Sequence, residues 1–139
     1  MKPNRLNRFS LLCSLICYLI VCCPPTLTAQ QQPREVVRIL AVGNSFSDDG
    51  VEYLDELAKA AGIRLIVGNL YIGGCSLERH WENVSKGLPA YDYRKNCEGV
   101  QSNTPKTSLL SALQDEPWDY ITVQQVSQNS GLYDTYYPF

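Results

Sequence analysis

The chain has 139 residues, a formal net charge of −2 and a hydrophobic content of 45%. This length accommodates a single domain of ordinary size. A nucleic-acid partner is excluded by the acidic balance and by the lack of a basic stripe, because binding phosphates requires clustered Lys and Arg side chains.

The N-terminal region has the order of a secretory signal. Basic residues precede an apolar run over residues 9–23, and prolines and small residues follow it. The run is shorter than the roughly 20 residues of a membrane-spanning helix, so we expect a cleaved signal and not a membrane anchor. The mature chain is therefore expected to have no membrane span. We therefore expect residues 1–29 to be a signal peptide, residues 30–35 a polar leader and residues 36–139 the folded part of a secreted or periplasmic protein.

Removal of the signal leaves two cysteines, Cys75 and Cys97. In an exported protein they can form a disulfide or stay as free thiols, and the sequence leaves both alternatives open. No metal-ligand spacing is found, and no cofactor is expected. Lipid attachment at Cys22 or Cys23 is a less favoured alternative to simple export, because Val21 is bulkier than the small residue that such processing prefers.

Strand and helix patterns alternate from residue 36 onwards. VVRILAV, residues 36–42, is nearly continuous in apolar character, which predicts a strand that is covered on both faces. A helix should follow, capped by Asp48 or Asp49 and ended by Gly62. IRLIVGN, residues 63–69, predicts a second strand. The order strand, helix, strand implies parallel pairing through a right-handed crossover.

The second half of the chain is less regular. Residues 76–84 predict a short helix, and residues 86–105 predict either a long excursion or a small hairpin. Residues 106–116 predict a helix, and residues 118–125 a third core strand. The inward face of that helix would consist of Leu109, Leu110 and Leu113. This alternation favours an open α/β sandwich.

Polar loops follow the three predicted strands, at the sheet edge where α/β proteins bind ligands. Ser45 in the first loop lies beside a helix N-terminus, whose free N–H groups can stabilise an oxyanion. A serine in this position can act as a nucleophile or simply cap the helix. The loops within NLYIGGCS, residues 69–76, and VQQVSQNSG, residues 123–131, bring further amides to the same edge.

Three blocks, GNSFS, NLYIGGCSLERHW and WDYITVQQVSQNSG, resemble in order and context the SGNH (GDSL-type) hydrolase family, in particular a group of its secreted bacterial domains. The resemblance covers roughly residues 37–139. It implies a flavodoxin-like three-layer α/β/α sandwich with a parallel sheet. It also implies an exported serine esterase or acyl hydrolase, with a small-molecule or glycan ester, such as an O-acetylated sugar, as its substrate.

The resemblance assigns roles to individual residues. Ser45 becomes the nucleophile, with Asn44 in place of the family's usual aspartate, and the Gly74 main-chain amide becomes an oxyanion donor. In the third block, ungapped alignment makes Gln128 the side-chain oxyanion donor. The alternatives are Asn129 and Gln125.

The Asp-x-x-His block with which this family supplies its general base is missing from these 139 residues. We therefore expect a domain truncated after its third core strand and inactive alone. The single histidine, His80, follows the second block directly. His80 and Trp81 are candidate substrate-binding residues, and a hydrogen-bonded helix histidine is the structural alternative for His80.

Two other functions compete with catalysis. The first is a non-catalytic carbohydrate-binding module, whose sugar-stacking residues would be Trp81, Tyr91, Tyr93 and Tyr133. The second is a phosphate site at SFSDDG, residues 45–50. Two aspartates in that segment disfavour phosphate because they place negative charge where it would bind. The oligomeric state is not set by the sequence.

Overall fold

The structure, a computed structural model, describes residues 36–137, so the expected signal peptide and polar leader lie outside the described residues. The strands are β1 (Val36–Gly43), β2 (Arg64–Tyr71), β3 (Tyr91–Cys97), β4 (Val100–Thr107) and β5 (Tyr120–Val123). The helices are α1 (Ser45–Val51), α2 (Leu54–Ala60), α3 (Leu77–Ser85) and α4 (Leu109–Asp115). Two 3-10 turns follow, Ser127–Asn129 and Tyr133–Tyr136. Within the described part of the chain, no helix combines the length and apolar character needed to cross a membrane.

The strands form one sheet in the order β4-β3-β2-β1-β5. The central strand β1 pairs in parallel with β2 on one side and with β5 on the other. Leu40, Ala41 and Val42 in β1 are at most 2% exposed. A strand covered on both faces has no solvent-facing positions, which explains its continuous apolar run. The α/β class and the parallel core predicted from the sequence are confirmed.

Residues 86–105 contain a hairpin rather than a long excursion. Strand β3 adds to β2 antiparallel, and β4 adds to β3 in the same way. The sheet is therefore mixed and has five strands, whereas the sequence predicted three parallel core strands. At the hairpin turn, Glu98 and Gly99 have positive φ angles of 53° and 95°. The Asn96 side chain accepts a hydrogen bond from Gly99 N at 2.7 Å, which stabilises this turn.

The predicted long helix after β1 is two short helices, α1 and α2. Helix α1 begins at Ser45, earlier than expected, because Asn44 is its N-cap and its Oδ1 accepts a hydrogen bond from Phe46 N at 3.1 Å. Asp48 and Asp49 lie within α1, so the prediction that one of them caps the helix is wrong. Ser45 does not cap the helix either.

Helices cover both faces of the sheet, as the sandwich prediction required. On one face, a core of Leu40, Val42, Leu70, Tyr91 and Tyr93 includes Ala112 of α4, with Leu109 and Trp118 packed against it. On the other face, α1 and α2 pack against β1 and β2.

Helix α4 packs through a different face from the one predicted. Ser108 caps the helix, and the buried positions are then Ala112 and, in part, Leu109. Leu110 is 64% exposed and Leu113 is 36% exposed. The prediction that these two leucines face inward is therefore wrong.

Gly68 in β2 makes room for two aromatic rings. A Cβ atom at this position would lie 2.8 Å from the Trp118 ring and 2.9 Å from the Tyr93 ring. The Trp118 indole is fixed from its other side, because its Nε1 donates to Ala112 O at 2.8 Å. The close approach of Trp118 to the sheet therefore requires glycine at position 68.

We predict that Gly68→Ala lowers the free energy of unfolding by about 1–3 kcal/mol, because the methyl group overpacks a filled core. Urea denaturation measures this loss. Gly50→Ala in α1 is the matched control: its Cβ would meet no atom within 4 Å. Because alanine favours helix over glycine, that variant should gain up to about 1 kcal/mol. Equal effects of the two substitutions would contradict the packing described for β2.

Candidate active site

The side chain of Asn44 connects three loops at one edge of the sheet. It is 1% exposed. Its Nδ2 donates to Cys75 O at 3.1 Å and to Gln125 O at 3.5 Å, while its Oδ1 caps α1. These bonds bring the loops after β1, β2 and β5 side by side. We call residues 44–45, 72–76 and 124–129 together the rim.

Ser45 and Gly74 lie on this rim. Ser45 follows Asn44 in the chain, and Gly74 precedes Cys75, whose carbonyl accepts a hydrogen bond from Asn44. Both are exposed. Gly74 has a φ of +60°, and a Cβ at this position would meet no atom within 4 Å. Neither main-chain N–H donates to another group within residues 36–137. Two N–H groups at a solvent-open edge are the donors that a developing oxyanion needs.

Of the three candidate side-chain donors, Gln125 is already fully used. It is 6% exposed. Its Oε1 accepts from Leu77 N at 3.0 Å and from Val126 N at 2.9 Å. Its Nε2 donates to Thr135 O at 3.0 Å and to Thr135 Oγ1 at 3.2 Å. Gln125 therefore links loops and has no free donor for a substrate.

The other two candidates remain near the surface of the rim. Gln128 is exposed and Asn129 is half-buried, and both lie in the 3-10 turn after β5. The structure places them on the predicted loop, and the choice between them stays open.

A partly buried hydrogen-bond network fastens α1 to the sheet, and the sequence analysis missed it. Ser47 Oγ lies 2.9 Å from Asn69 Oδ1, and Asn69 Nδ2 donates to Asp48 Oδ1 at 2.5 Å. The other Asp48 oxygen accepts from Arg94, whose guanidinium lies 3.8 Å above the Tyr71 ring. The available signal was Asn69 itself, a polar residue that follows the apolar run of the predicted second strand.

Gly43 lets α1 come this close to β1. A Cβ at Gly43 would lie 2.8 Å from Ser47 Oγ and 3.0 Å from Gln124 Oε1. Glycine is therefore required here for the contact with Ser47, which holds the first turn of the helix that carries Ser45.

His80 lies inside the protein, where it contacts Tyr91 and Cys75. It is 4% exposed, and its Nδ1 lies 3.0 Å from the Tyr91 hydroxyl and 3.5 Å from Cys75 Sγ. Burial, with a smaller effect from the Arg79 charge, lowers the pKa of His80 to about 4. The structure therefore gives His80 the hydrogen-bonded structural position. It does not suit direct contact with a substrate.

The other residues of interest separate into exposed and buried groups. Trp81 is 52% exposed and Tyr133 is 74% exposed, so both remain accessible. Tyr91 and Tyr93 are 1% and 7% exposed, so neither ring can stack on a sugar. The carbohydrate-binding alternative loses two of its four aromatic residues.

Cys75 and Cys97 are both free thiols, the first buried and the second exposed.

We predict that Asn44→Asp lowers the free energy of unfolding at neutral pH by about 2–4 kcal/mol. The carboxylate keeps the cap on Phe46 N but turns a negative oxygen toward the carbonyls of Cys75 and Gln125. Urea denaturation measures the change. The same substitution at exposed Asn103 in β4, Asn103→Asp, should change stability by no more than about 0.5 kcal/mol. A loss at position 44 no larger than at position 103 would disprove the connecting role of Asn44.

The lowered pKa of His80 predicts that the fold is less stable in acid. Above about pH 7.5, one unit over the unfolded pKa, the ring is neutral in both the folded and unfolded states, so it has no effect on stability. As the pH falls toward 4, only the unfolded chain takes up the proton, and the stability decreases. Between about pH 7.5 and 4.5 this contributes a loss of about 2–3 kcal/mol. Urea denaturation of the wild type should show this loss in excess of that seen with His80→Gln, and identical pH profiles would contradict it.

Comparison with known proteins places the chain in a family. Residues 38–138 match the family model described as a domain of unknown function (DUF4886). A crystal structure of a DUF4886 family protein from Bacteroides uniformis ATCC 8492 is 53% identical, with a TM-score of 0.71. The match covers 73% of this chain and 40% of that one, so this chain spans less than half the length of that relative. No curated protein matches the chain. The chain belongs to the DUF4886 family.

Proposed function

We propose that this chain carries the nucleophile of an exported serine esterase of the SGNH type that acts on ester-substituted glycans. Ser45 is the nucleophile, and the Gly74 amide is an oxyanion donor together with Gln128 or Asn129. The observation that carries the proposal is the pair of hydrogen bonds from Asn44 to Cys75 and Gln125, which brings the three loops together. The apolar N-terminal run of the sequence supports export.

The chemistry proceeds in two steps. Ser45 Oγ forms a bond to the ester carbonyl carbon and gives up its proton, while negative charge develops on the carbonyl oxygen. The free N–H groups of Ser45 and Gly74 stabilise that oxygen. The alcohol then leaves with a proton, and water cleaves the acyl-serine to release the acid and restore Ser45.

The proton from Ser45 requires a base. His80, the single histidine of the sequence, is buried against Tyr91 and is not placed on the rim. Without a base, a serine hydroxyl is a weak nucleophile at neutral pH. We therefore expect the 139-residue chain to turn over esters very slowly unless a base is added.

Covalent labelling tests the proposal without requiring turnover. The chain is incubated with a serine-directed fluorophosphonate, with and without imidazole as an added base, and peptide mass spectrometry locates the adduct. We predict one adduct, on Ser45, that forms faster with imidazole. Ser45→Ala should abolish it.

Ser47→Ala is the matched control, because it removes a hydroxyl from the same helix that is buried rather than exposed. It should keep the adduct on Ser45, even though the lost hydrogen bond lowers stability by about 1 kcal/mol. An adduct that survives Ser45→Ala, or one spread over several serines and tyrosines, would refute the assignment.

A further inference from the structure

A polar cleft of about 630 Å³ lies on the flank of α1, away from the rim residues described above. Helices α1 and α2 pack against β1 and β2, and the hairpin of β3 and β4 extends the sheet beyond them. The helix flank is one wall of the cleft and the hairpin is the other. The volume falls within the range of about 300–1,000 Å³ that is usual for small-molecule sites.

Uncharged hydrogen-bonding residues and charged residues line the cleft in equal number, five of each. Asn69 lies at its floor, Asn96 projects from β3, and residues 101–103 of β4 add one glutamine, one serine and one asparagine. An amide has both donors and acceptors, which is what a hydroxyl group of a ligand requires. Val51 and Val67 are the aliphatic residues of the lining.

The charges in the cleft disfavour an anionic ligand. Three carboxylates line it, on Asp48, Asp49 and Glu52, against one guanidinium, that of Arg94, which already pairs with Asp48. The Lys95 ammonium pairs with Asp115 of α4, on the opposite face of the sheet. Residues 36–137 hold no cluster of side chains suited to a metal ion. These features favour an uncharged, hydroxyl-rich molecule over an anion as the ligand.

The cleft is also held in shape before any ligand binds. Arg94 is fixed by the Asp48 carboxylate and by the Tyr71 ring, and Asp48 is fixed in turn by Asn69. A binding wall that is already ordered loses little side-chain entropy on association. This makes hydrogen bonds to a flexible polyol more favourable.

We propose that this cleft binds an uncharged oligosaccharide and is the glycan subsite of the chain. The inference rests on the proposed function for its link to ester chemistry. Asp48 lines the cleft one helical turn after Ser45, so a glycan held beside α1 lies close to the helix end at which its ester would be cleaved. The cleft would hold the sugar, and the rim would hold the ester.

Isothermal titration calorimetry tests the proposal, with cellohexaose, xylohexaose and chitohexaose each titrated into the Ser45→Ala chain. We expect at least one to bind with a Kd near or below about 1 mM. Gln101 and Asn103 are exposed residues of β4. Replacing both with alanine should weaken binding about tenfold or more. Leu110→Ala, on the exposed surface of α4 and outside the cleft lining, is the control and should leave the Kd unchanged.

Three results would overturn the glycan subsite: no binding of any hexasaccharide up to about 10 mM, binding that the double substitution leaves intact, or binding that Leu110→Ala abolishes. The outcome is separable from that of the esterase proposal. Cleft binding without Ser45 labelling supports the subsite and refutes the esterase. Ser45 labelling without cleft binding supports the esterase and refutes the subsite.

Discussion

The arrangement of the candidate site depends on one buried amide, that of Asn44. Its oxygen caps α1, and its nitrogen donates to carbonyls of two other loops. No other side chain of similar size does both, because Asp and Ser lack the two amide donors and Ala has no polar group. Because β1 is the central strand of the parallel core, this amide fixes the neighbouring loops relative to the most buried part of the sheet.

Helix α1 depends on tertiary contacts for its position. A helix of seven residues has little stability of its own, so its orientation is set by what it touches. Ser47 and Asp48 join it to Asn69, and Gly43 permits the contact with β1. The same helix therefore presents Ser45 at its start and the wall of a polar cleft along its flank. Two surfaces with different chemistry are held by a single set of hydrogen bonds.

Apolar patterning predicted the parts of this fold that depend on burial. The strands β1 and β2 and helices α3 and α4 lie close to where the sequence placed them, because apolar residues run through the buried strands and repeat with a helix period in the helices. Strand β5 also lies where the sequence placed it, but its four residues are exposed at the edge of the sheet, so it is not the core strand that was predicted. The hairpin was left open because β4 is an exposed edge strand with polar residues on both faces. Patterning also could not decide between Leu110 and Ala112 as the inward residue of α4, since the helix start at Ser108 sets that rotation.

The site was predicted in part, for a similar reason. Loops that follow parallel strands must meet at one edge, so the convergence of Ser45 and Gly74 could be inferred from strand order alone. The long-range partners of buried amides could not. Gln125 was a candidate oxyanion donor until its contacts with Leu77 and Thr135 were known. The sequence also did not show that Asn69, the first residue of NLYIGGCS, contacts Ser47 and Asp48.

The most direct measurement of the central claim is a crystal structure of the chain after reaction with a fluorophosphonate. The account predicts a phosphoryl group on Ser45 Oγ, with one of its oxygens about 2.7–3.1 Å from Gly74 N. A phosphoryl oxygen that points into solvent, more than about 4 Å from that nitrogen, would contradict the account.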